Sequence, residues 1–274
     1  MDAVKPSDPG TVILRPVTKI RRFATARSVS ALILREMVTT YGRSPGGYLW
    51  AILEPVAGVA LLVSIFALIF RSPPLGTNFA MFYATGIVPY MMYMSVSGKI
   101  GQALLFSRQL LMYPSVTFVD ALAARFVLDF LTQLLISYII FLGIVLIYET
   151  QTALNFPAIV LAFTMLGALS LGVGTLNSFL TVMFPVWARV WAIMNRPLML
   201  ISGVLFTPES VPEPYRTYML YNPIVHIVGQ MRKAFYPYYD AAYVSPTFVF
   251  LVSIVLLVFG LLFLLRYHRV LLSM

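Results

Sequence analysis

The chain of 274 residues contains no cysteine, which excludes a disulfide framework and a thiolate metal site. It has two histidines, His226 and His268, far apart in sequence, too few for a histidine metal centre or a relay of bases. Charged residues make up 11% of the chain and acidic ones number ten, too little polar surface to clothe a water-soluble domain of this length. The phosphate loop G-x-x-x-x-G-K-[ST] is missing, so the chain has no means of hydrolysing ATP by that route. Neither a G-x-S-x-G elbow nor an H-E-x-x-H helix occurs. Ser202 in "LISGVLF" lacks the elbow's glycine frame and any histidine nearby in sequence, which leaves a membrane-embedded lipid-processing enzyme as the remote alternative. The pair Arg21-Arg22 has the look of a twin-arginine signal, but the run after it is broken by Arg35 and Glu36, so no export signal is read there.

What the sequence holds instead is apolar length. Hydrophobic residues make up 60% of it. Six runs are long enough for a hydrocarbon layer of about 30 Å: 48–70, 79–97, 121–148, 156–184, 186–206 and 247–265. Lys5, Arg15, Lys19, Arg21, Arg22, Arg27, Arg35 and Arg43 precede the first run, Lys99 and Arg108 follow the second, and Arg266 and Arg269 follow the last. Under the positive-inside rule this asymmetry puts both termini in the cytoplasm. The fold class expected is an all-α, multi-pass integral membrane protein with six transmembrane helices. The net charge of +9 is explained by the same asymmetry and by anionic membrane lipids, without nucleic acid.

Three connections carry more than length requires. After a basic segment, 1–27, the stretch 28–46 sets Arg35, Glu36, Thr39, Thr40 and Arg43 against Ile33, Leu34, Met37 and Tyr41, the pattern of an amphipathic helix lying on the membrane surface. Residues 100–114 are too polar to span and too apolar for a free loop, which suggests a second surface helix. The connection 207–246 is long for a structureless loop. In it Asn222 suits an N-cap and Pro223 the first helical position, and a helix of a dozen residues there must be re-entrant or interfacial. Short re-entrant helices are therefore expected over 209–236, with the membrane domain covering 47–274. Arg232 and Lys233 run against the charge trend, so they are expected either to snorkel to outer headgroups or to face an anionic passenger.

Within the spans, Gly167, Ser170, Gly174 and Ser178 form a stripe that lets two membrane helices approach closely. Asp129, Arg189 and Arg196 sit at depths where an ionisable group needs a partner or water. In "GYLWAILEP", Glu54 precedes Pro55, which bends the first span. Glu54 is read as facing protein or a channel mouth, with Arg43, Lys99 or Arg189 as its possible partner.

The segments "LILREMVTTYGRSPGGYLWAILEP" and "YNPIVHIVGQMRKAFY", with the six-run pattern between and after them, resemble the permease subunits of ATP-binding-cassette exporters of capsular polysaccharide (KpsM type). The resemblance runs from about Val29 to the C-terminus and implies a non-catalytic inner-membrane subunit that works as a homodimer. Two copies of a separate ATPase would hold ATP and magnesium, while this chain binds no cofactor or metal. Further partners implied are a periplasmic co-polymerase or adaptor, an outer-membrane export protein, and a lipid-anchored, acidic polysaccharide. O-antigen, a teichoic-acid-like polymer or a smaller lipid or drug is the alternative passenger. Residues placed on the ATPase-facing elements are Arg35, Glu36, Thr39, Arg43, Gln102, Arg108 and Gln109. Aromatic rings stack on sugar faces, which makes Tyr48, Trp50, Tyr215, Tyr218, Tyr221, Tyr236 and Tyr239 the channel candidates, joined by Glu54, Arg189, Arg196, His226, Arg232 and Lys233.

Overall fold

A computed structural model describes residues 24–41, 46–69, 72–111, 117–148 and 153–273, and among these every regular element is helical. They are α1 (Ala24–Tyr41), α2 (Gly47–Ile69), α3 (Phe79–Gly101), α4 (Ala103–Leu111), α5 (Phe118–Ile147), α6 (Phe156–Met183), α7 (Trp187–Leu200), α8 (Tyr215–Leu220), α9 (Pro223–Phe235) and α10 (Pro246–Ser273), with a single 3₁₀ turn at Pro208–Ser210. Local chemistry fixes where they start. The Asn78 carboxamide oxygen accepts from the amides of Ala80 and Met81 ahead of α3. Thr117 and Asp120 close a reciprocal capping box on α5. Asn155 caps α6, and Asn222 with Pro223 starts α9 as the sequence predicts.

Among the described residues, four helices, α3, α5, α6 and α10, are long and apolar enough to cross a membrane. α3 is the centre of the bundle, with seventeen of its 23 residues buried among α5, α6 and α9. The small-residue stripe on α6 is a packing surface, as read from the sequence. Gly174 faces Ile100 of α3, Gly167 faces Phe130 of α5, and Ser170 and Ser178 are buried. Gly172 lies against the Ser253 carbonyl of α10, and Gly260 of α10 lies against the α6 backbone at Leu176.

One expected boundary changes. The run 186–206 is helical only over the 14 residues of α7, a rise of about 21 Å that falls short of the hydrocarbon thickness. Pro197 sits near its end, and Gly203, at φ 68°, adopts the left-handed region that a side chain disfavours. Within the stretch 100–114, α4 follows α3 after a break at Gln102, whose amide donates to the Lys99 carbonyl. α9 packs on α6 and on the start of α3, so it lies at the end of the bundle opposite α4. α1 and the last turns of α10 lie at the α4 end, the first through Arg125 near the start of α5 and the second through Tyr267, whose ring centroid is 5.7 Å from that of Phe179.

Candidate functional site

At the α4 end, four charged side chains pair across three helices. Glu36 of α1 forms an ion pair with Arg125 of α5, and Lys99 of α3 forms one with Asp129, one turn further along α5. The Asp129 carboxylate also accepts from Ser95 Oγ at 3.0 Å. Arg125 covers the Phe106 ring of α4, its guanidinium carbon 4.1 Å from the ring centroid, and Arg35 of α1 approaches the same ring at 6.0 Å. Glu36 is buried. Burial raises its pKa while the Arg125 charge works against that rise.

This arrangement corrects two readings. α1 does not set all its polar residues toward solvent: Leu32 and Glu36, one turn apart, face the bundle, while Leu34, Met37 and Val38 are exposed. Lys99 is committed to Asp129 and is therefore not the partner of Glu54. Of the other ATPase-facing candidates, Arg35, Gln102 and Arg108 are exposed, and Thr39 is exposed with its hydroxyl donating to the Arg35 carbonyl. Arg43 and the side chain of Gln109 lie outside the described residues. Leu105 and Phe106 of α4 expose nearly half their surface, apolar area that only a partner or lipid would cover.

At the opposite end the tyrosines divide. Tyr215, Tyr218 and Tyr221, spaced by three along α8, are each about 70% exposed. Tyr236 is buried, and Tyr239 is half-buried with its hydroxyl donating to the Glu209 carboxylate at 3.0 Å. Burial raises the pKa of Tyr239, as do the neighbouring Tyr243 and the Glu209 charge. His226 is buried as well: the Ser245 amide donates to Nδ1, so Nε2 carries the proton and donates to the Leu220 carbonyl at 2.8 Å. Arg232 meets neither of its expected fates. It is fully buried and donates to the carbonyls of Val204 (2.8 Å) and Phe206 (3.0 Å), with its guanidinium carbon 4.3 Å from the centroid of the Phe82 ring. A Cβ at Gly86 would stand 2.6 Å from the Val204 oxygen, so glycine there is what admits the strand of carbonyls. Lys233, next in sequence, points out and lies 3.7 Å from Asp240.

Two helices keep open faces. On α2, Trp50, Leu53, Glu54, Ala57, Leu61, Ser64 and Leu68 are exposed along its length. On α7, Arg189, Ile193, Arg196 and Leu200 form an exposed stripe. Among the described residues, no cation lies within ion-pair distance of Glu54. α7 is held to the bundle by the Trp187 indole N–H donating to Asn177 Oδ1 at 2.9 Å and by Tyr90 Oη donating to the Asn195 carbonyl at 2.7 Å. The side chain of Tyr48 lies outside the described residues.

Sequence reasoning marked Asp129 as needing a partner, which Lys99 supplies, but missed Arg125. The signal was present in opposite charges four apart on one apolar helix, Arg125 and Asp129, a spacing that puts both on one face.

Among the described residues, buried charges tie the helices together, while Glu54, Arg189 and Arg196 lie on open helix faces. The chain belongs to the ABC-2 type transporter family, whose pattern matches residues 27–236. It is 33% identical over 234 residues to the polysialic acid transport protein KpsM of Escherichia coli, covering 85% of this chain and 91% of that protein. It is 25% identical over 243 residues to the capsule polysaccharide export inner-membrane protein CtrC of Neisseria meningitidis serogroup A, with 89% and 92% covered. To the capsule polysaccharide export inner-membrane protein BexB of Haemophilus influenzae it is 25% identical over 237 residues, with 86% and 89% covered.

Proposed function

We propose that the chain is the membrane permease of an ATP-driven exporter that carries a capsule-type polysaccharide across the bacterial inner membrane. The observation that carries this reading is the similarity to three export proteins along nearly the whole chain. The absence of a phosphate loop agrees with it, because hydrolysis then falls to a separate ATPase that would hold ATP and magnesium. In this reading α2, α3, α5, α6, α7 and α10 make six crossings, with α7 completed by the turn after Leu200. α1 lies on the cytoplasmic surface, both termini are cytoplasmic, and α8 and α9 are re-entrant from the periplasmic side.

The permease would work as a homodimer. Glu54 on the open face of α2 and Arg189 and Arg196 on the open face of α7 are opposite charges at membrane depth, and a second copy that brings the two faces together relieves both. The exposed rings of Tyr215, Tyr218 and Tyr221 offer flat surfaces for sugar rings at the exit. An acidic, lipid-anchored polymer, a periplasmic adaptor and an outer-membrane export protein complete the proposed assembly, with α4 and Arg108 turned toward the ATPase.

The test is purification of the chain from membranes together with a candidate ATPase, followed by an assay of ATP-dependent polymer movement into inverted vesicles. A complex that hydrolyses ATP faster in the presence of capsule polymer and moves it supports the reading. A chain that turns over a lipid or peptide alone, without any ATPase, overturns it.

A further inference from the structure

Arg125 and Asp129 stand one turn apart on α5, and each takes its counter-charge from a different helix, Glu36 from α1 and Lys99 from α3. The order of signs matters. A slide of α1 along α5 by one turn, about 6 Å, would carry Glu36 from Arg125 toward Asp129, and the matching slide of α3 would carry Lys99 toward Arg125. Either displacement breaks an ion pair with Arg125 or Asp129 and carries a charge toward one of its own sign. The pairing is therefore specific in register, which a purely apolar contact between the same helices is not. α4 joins the same group, because the Arg125 guanidinium that pairs with Glu36 also covers Phe106. Leu32, Glu36, Phe106, Ser107, Ala121 and Ala124, from α1, α4 and α5, converge on one small cavity there.

We infer that Arg125 is a positioning residue for energy coupling: it locks α1, α4 and the adjoining ends of α3 and α5 into one rigid body. Through that body, displacement of α4 reaches the membrane helices. The inference rests on the proposed reading of α4 as the element that meets the ATPase. Phe106 shows the partner one exposed side while its ring lies under Arg125, so a push on α4 is delivered to α5 and, through Glu36, to α1. Without Arg125 the same push would tilt α4 alone.

The test uses the intact complex of the chain with its co-purifying ATPase. In Arg125→Gln and Arg125→Glu, ATP hydrolysis continues while polymer export falls about tenfold or more, a coupling loss of ordinary allosteric size. Arg125→Lys, which keeps a cation against both Glu36 and the Phe106 ring, retains most of the export. Normal export by Arg125→Glu, or a loss in Arg125→Lys as deep as in Arg125→Gln, overturns the inference. A parallel fall of hydrolysis and export with loss of bound ATPase does so as well, since that marks a docking or folding role. If the single variants fail to accumulate, crosslinking decides. The chain has no cysteine of its own, so Leu32→Cys with Ala121→Cys can be joined by a short bifunctional thiol reagent. Export that survives this join between α1 and α5 supports one rigid body, and export that stops on crosslinking overturns it. Failure of the broader functional reading looks different, because the unsubstituted chain would then retain no ATPase and move no polymer.

Discussion

At the scale of the residue, Arg232 decides how the end opposite α4 is built. A buried guanidinium donating to two carbonyls is irreplaceable by a shorter or monodentate group. Arg232→Ala leaves the Val204 and Phe206 oxygens without donors, at about 1–3 kcal/mol each, and Arg232→Lys, a point charge without the planar fork, serves them in poorer geometry. Thermal unfolding in detergent is expected to rank wild type above Arg232→Lys and Arg232→Lys above Arg232→Ala, while Lys233→Ala, at an exposed site, unfolds like wild type. The sequence presents Arg232 and Lys233 as one basic pair, but neighbours on a helix point about 100° apart, so one enters the core and the other leaves it. His226 and Tyr236 were hidden for the same reason: their type suggests a polar mouth, and only their neighbours in space, Ser245 and Gly76, show them enclosed.

At the scale of the element, helix contacts were the most legible part. The starts of α3, α6 and α10 were read from apolar length to within a residue, and the packing stripe of α6 from its small residues. α7 was not legible, because hydropathy runs unbroken through Pro197 and Gly203, whereas backbone geometry does not. The helix contacts predict a matched pair. Gly172→Ala places a methyl against the Ser253 carbonyl and forces α6 from α10, while Gly143→Ala on α5 meets nothing within 4 Å. The first is expected to lower the unfolding temperature and membrane accumulation. The second is expected to leave both unchanged or raise stability by up to about 1 kcal/mol, the helix-propensity gain of alanine over glycine. On α8, replacing Tyr215, Tyr218 and Tyr221 together by alanine removes exposed rings that little else rests on. The expected outcome is a normally folded complex with reduced polymer export, read by comparing surface polymer with the amount of complex.

At the scale of the whole molecule, the open faces of α2 and α7 make the proposed dimer testable by charge. Glu54→Lys puts like charges opposite Arg189 and Arg196 of a second copy, and the dimer fraction measured by native mass spectrometry is expected to fall. Arg196→Glu in the same chain is expected to recover it. Part of this was readable, since Glu54 stood out in an apolar run, but its relief was sought inside one chain, and sequence cannot separate intrachain from interchain neighbours. The filled interior carries a further consequence. The axis of a single copy is occupied by α3, and the end opposite α4 is floored by α9, eleven of whose thirteen residues are buried. Among the described residues, the middle of one copy is filled by side chains. Vesicles loaded with the dimer-breaking Glu54→Lys permease and no ATPase should therefore hold a proton gradient as long as empty vesicles do.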